Sequence, residues 1–326
     1  MRRISQVLLA ALTIALITSC AHSSLPKGGE LKYTISPNFF DANPGGQPIG
    51  ACHGGVAIDK SGNIYISTDT ERGILVYTPK GKFLRAFGPT RVHELEIRKE
   101  HGVEHIYAAR PSDHEVLKLA MDGTIEWTIR CPMESGIYKD EKGFNPCAVT
   151  VGPDGSIYVA DGYGSNYTLK FDRDRKFVKA FGGPGKEEGK FNTCHGIGLD
   201  TRLGKPLLFI CDRNNNRVEY WDLDGNFIKT IRSDLRMPAK VYFRGDFAII
   251  PELQGRATVL DKDGNIAAQV GDNPIEGQRA NYGLPPDQWK DGICNSPHGA
   301  AMDADGNLIV AEWSKYGHLH MFTLER

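Results

Sequence analysis

"CHGIGLDTRLGKPLLFICDRNNNRVEYWDLDGNFIKTI" (194–231) decides the fold. It reads as four short strands. Two apolar runs are joined by a polar turn, and a third run, "VEYW", is joined by "DLDGN" to a fourth, "FIKTI". The alternation is of strand type, and the Asp-Gly pair supplies the positive φ that a tight hairpin needs. Working outward, five more segments open the same way: "GGVAIDKSGNIYIST" (54–68), "HELEIRKEHGVEHIYAA" (93–109), "CAVTVGPDGSIYVAD" (147–161), "AKVYFRGDFAII" (239–250) and "HGAAMDADGNLIVAE" (298–312). The spacing is roughly 46 residues, the period of a repeat that must stack to bury its apolar faces. Six four-stranded antiparallel units predict an all-β, six-bladed β-propeller, in which radial closure leaves no long exposed sheet edge. The last unit has only three clear strands, so "GELKYTIS" (29–36) is expected to supply the fourth and close the ring.

The 326 residues are 40% hydrophobic and 24% charged, with a formal net charge of −1. This is a globular composition, and no basic stripe argues for nucleic acid. The start, "MRRISQVLLAALTIALITSC", has a basic end, an apolar run and small residues, the pattern of a secretory leader. "ITSC" resembles a bacterial lipobox. The expected organisation is a leader over 1–19, a lipidated Cys20, a tether over 20–30 and the propeller over 31–326. That predicts an exported monomer held to the membrane of the bacterial cell envelope by its lipid anchor. The six later cysteines allow fifteen full pairings, and nothing in their spacing chooses among them. "GGPGKEEGK" (182–190) lacks the spacing of a phosphate-binding loop and reads as a connection between blades. His318 and His320 alternate on a late strand and read as surface residues.

In a propeller the innermost strand of each blade lines the axis. Five residues before the strand-ending position, the six blades carry Gly54, His93, Cys147, His195, Ala239 and His298. The histidines fall in blades two, four and six, 102 and 103 residues apart. Alternate blades are about 120° apart, so three imidazoles at one height converge, as catalytic zinc with three protein ligands requires. Hydrogen bonding to water or backbone is the plainer reading of any single one of them. Cys147 is in phase and is read as a buried thiol or a partner of Cys131, ahead of a fourth ligand. His53 is one residue out of phase, and a one-residue slip turns a strand side chain to the other face, so it is set aside unless a bulge restores it.

"FGGPGKEEGKFNTCHGIGLD" (181–200) and "CDRNNNRVEYWDLDGNF" (211–227) resemble the NHL repeat. Beyond that, "ADGYGSNYTLKF" (160–171), "CHGIGLD…CDRNNNRVEYW" (194–221) and "SPHGAAMDADGNLIVAEWSKYGHLHMFTLER" (296–326) resemble the peptidyl-α-hydroxyglycine α-amidating lyases, at the distance of a remote relative. The resemblance implies zinc held by His93, His195 and His298. It implies Tyr163 as base toward a substrate hydroxyl, although a tyrosine capping the blade turn reads equally well. It implies Arg213 on the substrate carboxylate and, more loosely, Arg72 as a second arginine. Arg217 falls where NHL repeats carry a packing arginine. The family's axial calcium uses an aspartate after the third histidine, where this chain has Gly299; Glu94 is then the candidate ligand for a second ion, calcium. The implied reaction cleaves an acyl-α-hydroxyglycine, or another small peptide-like carbinolamide, to an amide and glyoxylate. The alternative is a non-catalytic NHL-type binding module for a peptide, glycan or protein.

Overall fold

The computed structural model describes Leu25 and residues 29–326. The leader, Cys20 and most of the tether lie outside the described residues. Six sheets of four antiparallel strands, five of them sequential in the chain, make a six-bladed propeller. The innermost strands are Val56–Ile58, Glu94–Glu100, Ala148–Val151, Cys194–Asp200, Tyr242–Arg244 and Pro297–Met302. In the sixth blade the outermost strand is Tyr33–Ile35. It pairs with Leu319–Leu324 in the register Tyr33↔Leu324, Thr34↔Thr323, Ile35↔Phe322, so the chain ends are laced together as expected.

Each blade packs its apolar face on the next. Ala148, Tyr158, Ala160 and Phe181 of blade three form one core with Ile197, Leu199, Leu208, Ile210 and Trp221 of blade four. Removing these aliphatic and aromatic faces from water is the main favourable term holding blade to blade. Between strands, a repeated aspartate organises the turn. Asp59, Asp172, Asp222, Asp261 and Asp303 each accept from the backbone N–H groups two and four residues on. The side chain does the work of a backbone turn there, and the glycine at 62, 225, 264 or 306 takes the positive φ.

At the other end of the second strand sits a buried charge clasp. In blade four Asp212 pairs with Arg217 at 2.7 Å. Arg217 also donates to the carbonyls of Lys186, Glu187 and Lys190, so the "GGPGKEEGK" segment is a connection held down by a packing guanidinium. Glu252 and Arg256 repeat the clasp in blade five. Blade two reverses its sign, with Arg110 in the acidic position against Glu115. Blade six replaces the arginine with histidines: Glu312 meets His320 at 2.8 Å and His318 at 3.4 Å. The surface reading of this pair is therefore corrected. His320 is buried, and His318 is half-covered and stacks on Trp289 with ring centres 3.9 Å apart. Burial alone would raise the Glu312 carboxyl, but the two imidazoles outweigh it and hold it well below the usual carboxylate range. All six described cysteines are free thiols.

Since the seam between the chain ends is a three-residue strand, deleting residues 31–36 should lower Tm by roughly 5–10 °C, the shift expected for a few kcal/mol in a domain of this size. Scanning calorimetry checks this; an unchanged Tm would show that the ring closes without the strand.

Candidate metal centre

His93 and His298 lie at or beside the heads of the innermost strands of blades two and six, and His195 is in that of blade four. All three are buried, at 1%, 2% and 1% exposure for His93, His298 and His195. Their ring centres form a near-equilateral triangle with sides of 4.7, 4.8 and 4.9 Å. One ring nitrogen from each lies within 4.8 Å of the others.

The intervening blades orient two of these rings. His93 Nδ1 lies 2.8 Å from the Cys147 carbonyl of blade three, and His195 Nδ1 lies 2.7 Å from the Ala239 carbonyl of blade five. A carbonyl can only accept, so Nδ1 carries the proton and the Nε2 lone pair is left for the axis. This is the outer-sphere arrangement that metal-bound histidines require. Burial is the largest cause pushing all three imidazoles well below their ordinary pKa, and the next is a neighbouring basic group: His53 for His93, Arg213 for His195 and His93 for His298. They are thus held neutral, as metal ligands must be. His298 supplies the strongest sign of a missing partner: neither of its ring nitrogens has a hydrogen bond, and both are buried. An unsatisfied buried group of this kind costs about 1–3 kcal/mol. Three neutral nitrogen donors with one wholly unpaired ring fit a zinc-type cation.

Tyr163 stands over the edge between blades two and four. Its hydroxyl is 3.2 Å from His93 Nε2 and 2.9 Å from His195 Nε2, and it accepts from Arg213 at 2.9 Å. The Arg213 guanidinium also lies 5.2 Å from the centre of the Tyr163 ring. Although the residue is 41% exposed, the hydroxyl end is turned inward, and burial pushes its pKa up to about 12 against the opposing pull of Arg213. Arg213 is half-buried at the rim and has no carboxylate partner among the described residues. Arg72 does not reach this centre. It donates to the carbonyls of Pro44 (2.6 Å) and Pro48 (3.2 Å) and lies over Phe83, holding the 44–48 segment to blade one. The carbonyls of that segment satisfy its guanidinium, which accounts for its displacement from the expected role.

Below the histidines, the Glu94 carboxylate is met by the ammonium of Lys240, which also donates to the Leu95 carbonyl. Both residues are buried, and burial draws Lys240 down to about 7. The position expected to bind calcium through Glu94 therefore already holds a cation, supplied by blade five. Nor is there room for the aspartate at 299, because a β-carbon there would run into the Gly54 carbonyl of blade one. One carboxylate already paired with an ammonium does not fit calcium, which takes 6–8 oxygen ligands.

His53 is the residue that the phase argument missed. Gly54 has φ +82°, and the blade-one strand starts only at Val56, so the strand alternation does not extend back to residue 53. The His53 ring lies 4.9 Å from that of His93 and 5.7 Å from that of His298, and its Nδ1 is 2.7 Å from Asp69 Oδ1. The Gly-Gly pair at 54–55 was the available signal. Cys147 is a buried free thiol whose carbonyl, rather than its sulfur, serves the centre.

No protein-family profile matches the chain. Among solved structures it is similar to a streptogramin B lyase, with a TM-score of 0.60 at 15% identity over 90% of this chain and 98% of that one. It is also similar to a virginiamycin B lyase from Staphylococcus aureus, with a TM-score of 0.56 at 16% identity over 91% and 100%. A protein titled a putative gluconolactonase gives 0.58 at 13% identity over 93% and 94%. At these identities the likeness establishes the shared propeller fold.

Two outcomes follow from the geometry. Lys240→Met strands a buried carboxylate and should cost about 3–5 kcal/mol, while the double variant Glu94→Gln/Lys240→Met should recover most of it; urea unfolding of the set measures both. The histidines are neutral when folded but take up protons below about pH 6.5 when unfolded. Their contribution to stability is complete above that pH and is lost as pH falls. The Tm of metal-free protein should therefore drop between about pH 7 and pH 5, and His298→Gln should flatten the slope.

Proposed function

We propose that this protein is a metal-dependent lyase that converts an acyl-α-hydroxyglycine, or a closely related carbinolamide, into an amide and glyoxylate, with zinc as the metal. One observation carries the reading: a tyrosine hydroxyl is shared between two inward-facing imidazole nitrogens and an arginine without a carboxylate partner. The residues that would hold zinc are His93, His195 and His298. When bound, it supplies Lewis-acid polarisation of a substrate oxygen and lowers the pKa of the groups it meets. The rest falls to the chain. The guanidinium N–H groups of Arg213 not used on Tyr163 grip the substrate carboxylate. Tyr163 would act as general base in its phenolate form, which the charge of the bound metal and of Arg213 would favour against the burial that holds its pKa up, and in that form would take the proton of the α-hydroxyl. The O–H electron pair becomes the second bond of the glyoxylate aldehyde, the C–N bond breaks, and its pair stays on nitrogen. Tyr163 returns the proton to that nitrogen, so the atoms and charge of substrate and products balance.

Lyase chemistry on this architecture has support among the structural neighbours. Two carry lyase titles, and a further virginiamycin B lyase structure, with quinupristin, is of a histidine-to-alanine variant titled catalytically inactive. The test is glyoxylate release from an acyl-α-hydroxyglycine by zinc-loaded protein. Tyr163→Phe should lower kcat by about 10²–10⁴-fold, the usual share of an acid–base group. Arg213→Ala should act mainly through KM. Absence of glyoxylate from metal-loaded wild type would defeat the lyase reading and leave a binding propeller.

A further inference from the structure

We infer that His53, oriented by Asp69, is a fourth imidazole ligand of this metal centre. The inference rests on the reading of His93, His195 and His298 as a metal site, and it is independent of the reaction proposed there. Three sets of observations lead to it.

The first is placement. His53 belongs to blade one, which lies between the blades of His298 and His93. Its ring centre is 4.9 Å from that of His93, as close as the three histidines are to one another, and 5.7 Å from that of His298; its nitrogens stand just outside the 4.8 Å set, so coordination requires the ring to swing toward the axis. It covers the edge between blades six and two as Tyr163 covers the edge between blades two and four. The third edge faces blade five, where Ala239 offers no functional side chain, so an approach for substrate remains.

The second is orientation. The Nδ1 of His53 is directed at the Asp69 carboxylate, at 2.7 Å. A carboxylate on one ring nitrogen fixes the proton there and raises the donor strength of the other, which is the usual outer partner of a metal-bound imidazole. His93 and His195 reach the same end with backbone carbonyls.

The third is the fixation of the backbone. Cys52 exchanges both of its backbone hydrogen bonds with Ser314 of blade six, and the Asp69 N–H donates to the Ala51 carbonyl. Gly54 then turns through a positive φ, where a β-carbon would press on the Ala311 backbone at 3.0 Å, and one on Gly55 would meet Ser67 Oγ at 2.8 Å. The segment is clamped on both sides of the one residue that breaks strand phase. Such preorganisation is what a ligand needs and what a surface histidine does not.

The experiment is zinc competition against a chromophoric chelator on the full propeller, with the visible spectrum of the cobalt-substituted protein as a second readout. His53→Ala should weaken zinc binding at least ten-fold and change the cobalt spectrum. Asp69→Asn should weaken it less, in the direction expected for loss of an outer partner. His195→Ala serves as the reference for loss of the site. Should His53→Ala fold poorly, His53→Gln and Asp69→Asn carry the same comparison. Unchanged affinity and spectrum in these variants, with zinc lost in His195→Ala, would overturn the fourth ligand and leave the three-histidine centre standing. Wild-type protein that takes up no metal would overturn both.

Discussion

Two hydrogen bonds, from His93 to the Cys147 carbonyl and from His195 to the Ala239 carbonyl, carry much of the logic of this molecule. Each crosses from one blade to the next. Each consumes the Nδ1 proton, so the remaining nitrogen can present only a lone pair. The rings are thereby given one tautomer and one direction, in surroundings dry enough to keep them uncharged. The pseudo-symmetric third bond, from His298 toward blade one, is missing. At that point the chain swings away from strand geometry at Gly54, and His53 enters in its place. The break in the pattern and the extra imidazole are thus one event.

The axis is layered by charge. At the top, Arg213 in blade four and the His53–Asp69 pair in blade one stand on opposite sides of the histidines, half a turn of the propeller apart. A ligand with an anionic end and an N–H end would find complementary groups at each side. Beneath, Lys240 and Glu94 neutralise one another away from water. The Lys240 ammonium reaches this layer from blade five and also donates to the Leu95 carbonyl of blade two.

Much of this could be read along the chain because periodicity and turn chemistry are local. Asp-Gly and Ser-Gly turns marked the hairpins, the interval of about a hundred residues marked the alternate blades, and "GELKYTIS" had no partner other than the last blade. What escaped depends on contacts between segments distant in sequence. The buried state of His320 follows from Glu312, a carboxylate that must find partners once the sheet covers it. Arg72 was misplaced because the carbonyls that hold it lie in a segment without strand pattern. Lys240 looked like any lysine beside a strand; only the convergence of six strands brings it against Glu94. His53 failed a rule of alternation that was sound for the strand and inapplicable one residue outside it.

The pairing of Tyr33 with Leu324 joins the first described strand of the chain to the last. A nascent polypeptide emerging from a ribosome makes this strand first and can use it only at the end. Until then the sixth blade lacks its rim, and the segment bearing His298 has no finished sheet to hold it opposite His93 and His195. Assembly of the histidine cluster is in this way deferred to the completion of synthesis, since His298 arrives only with the last blade.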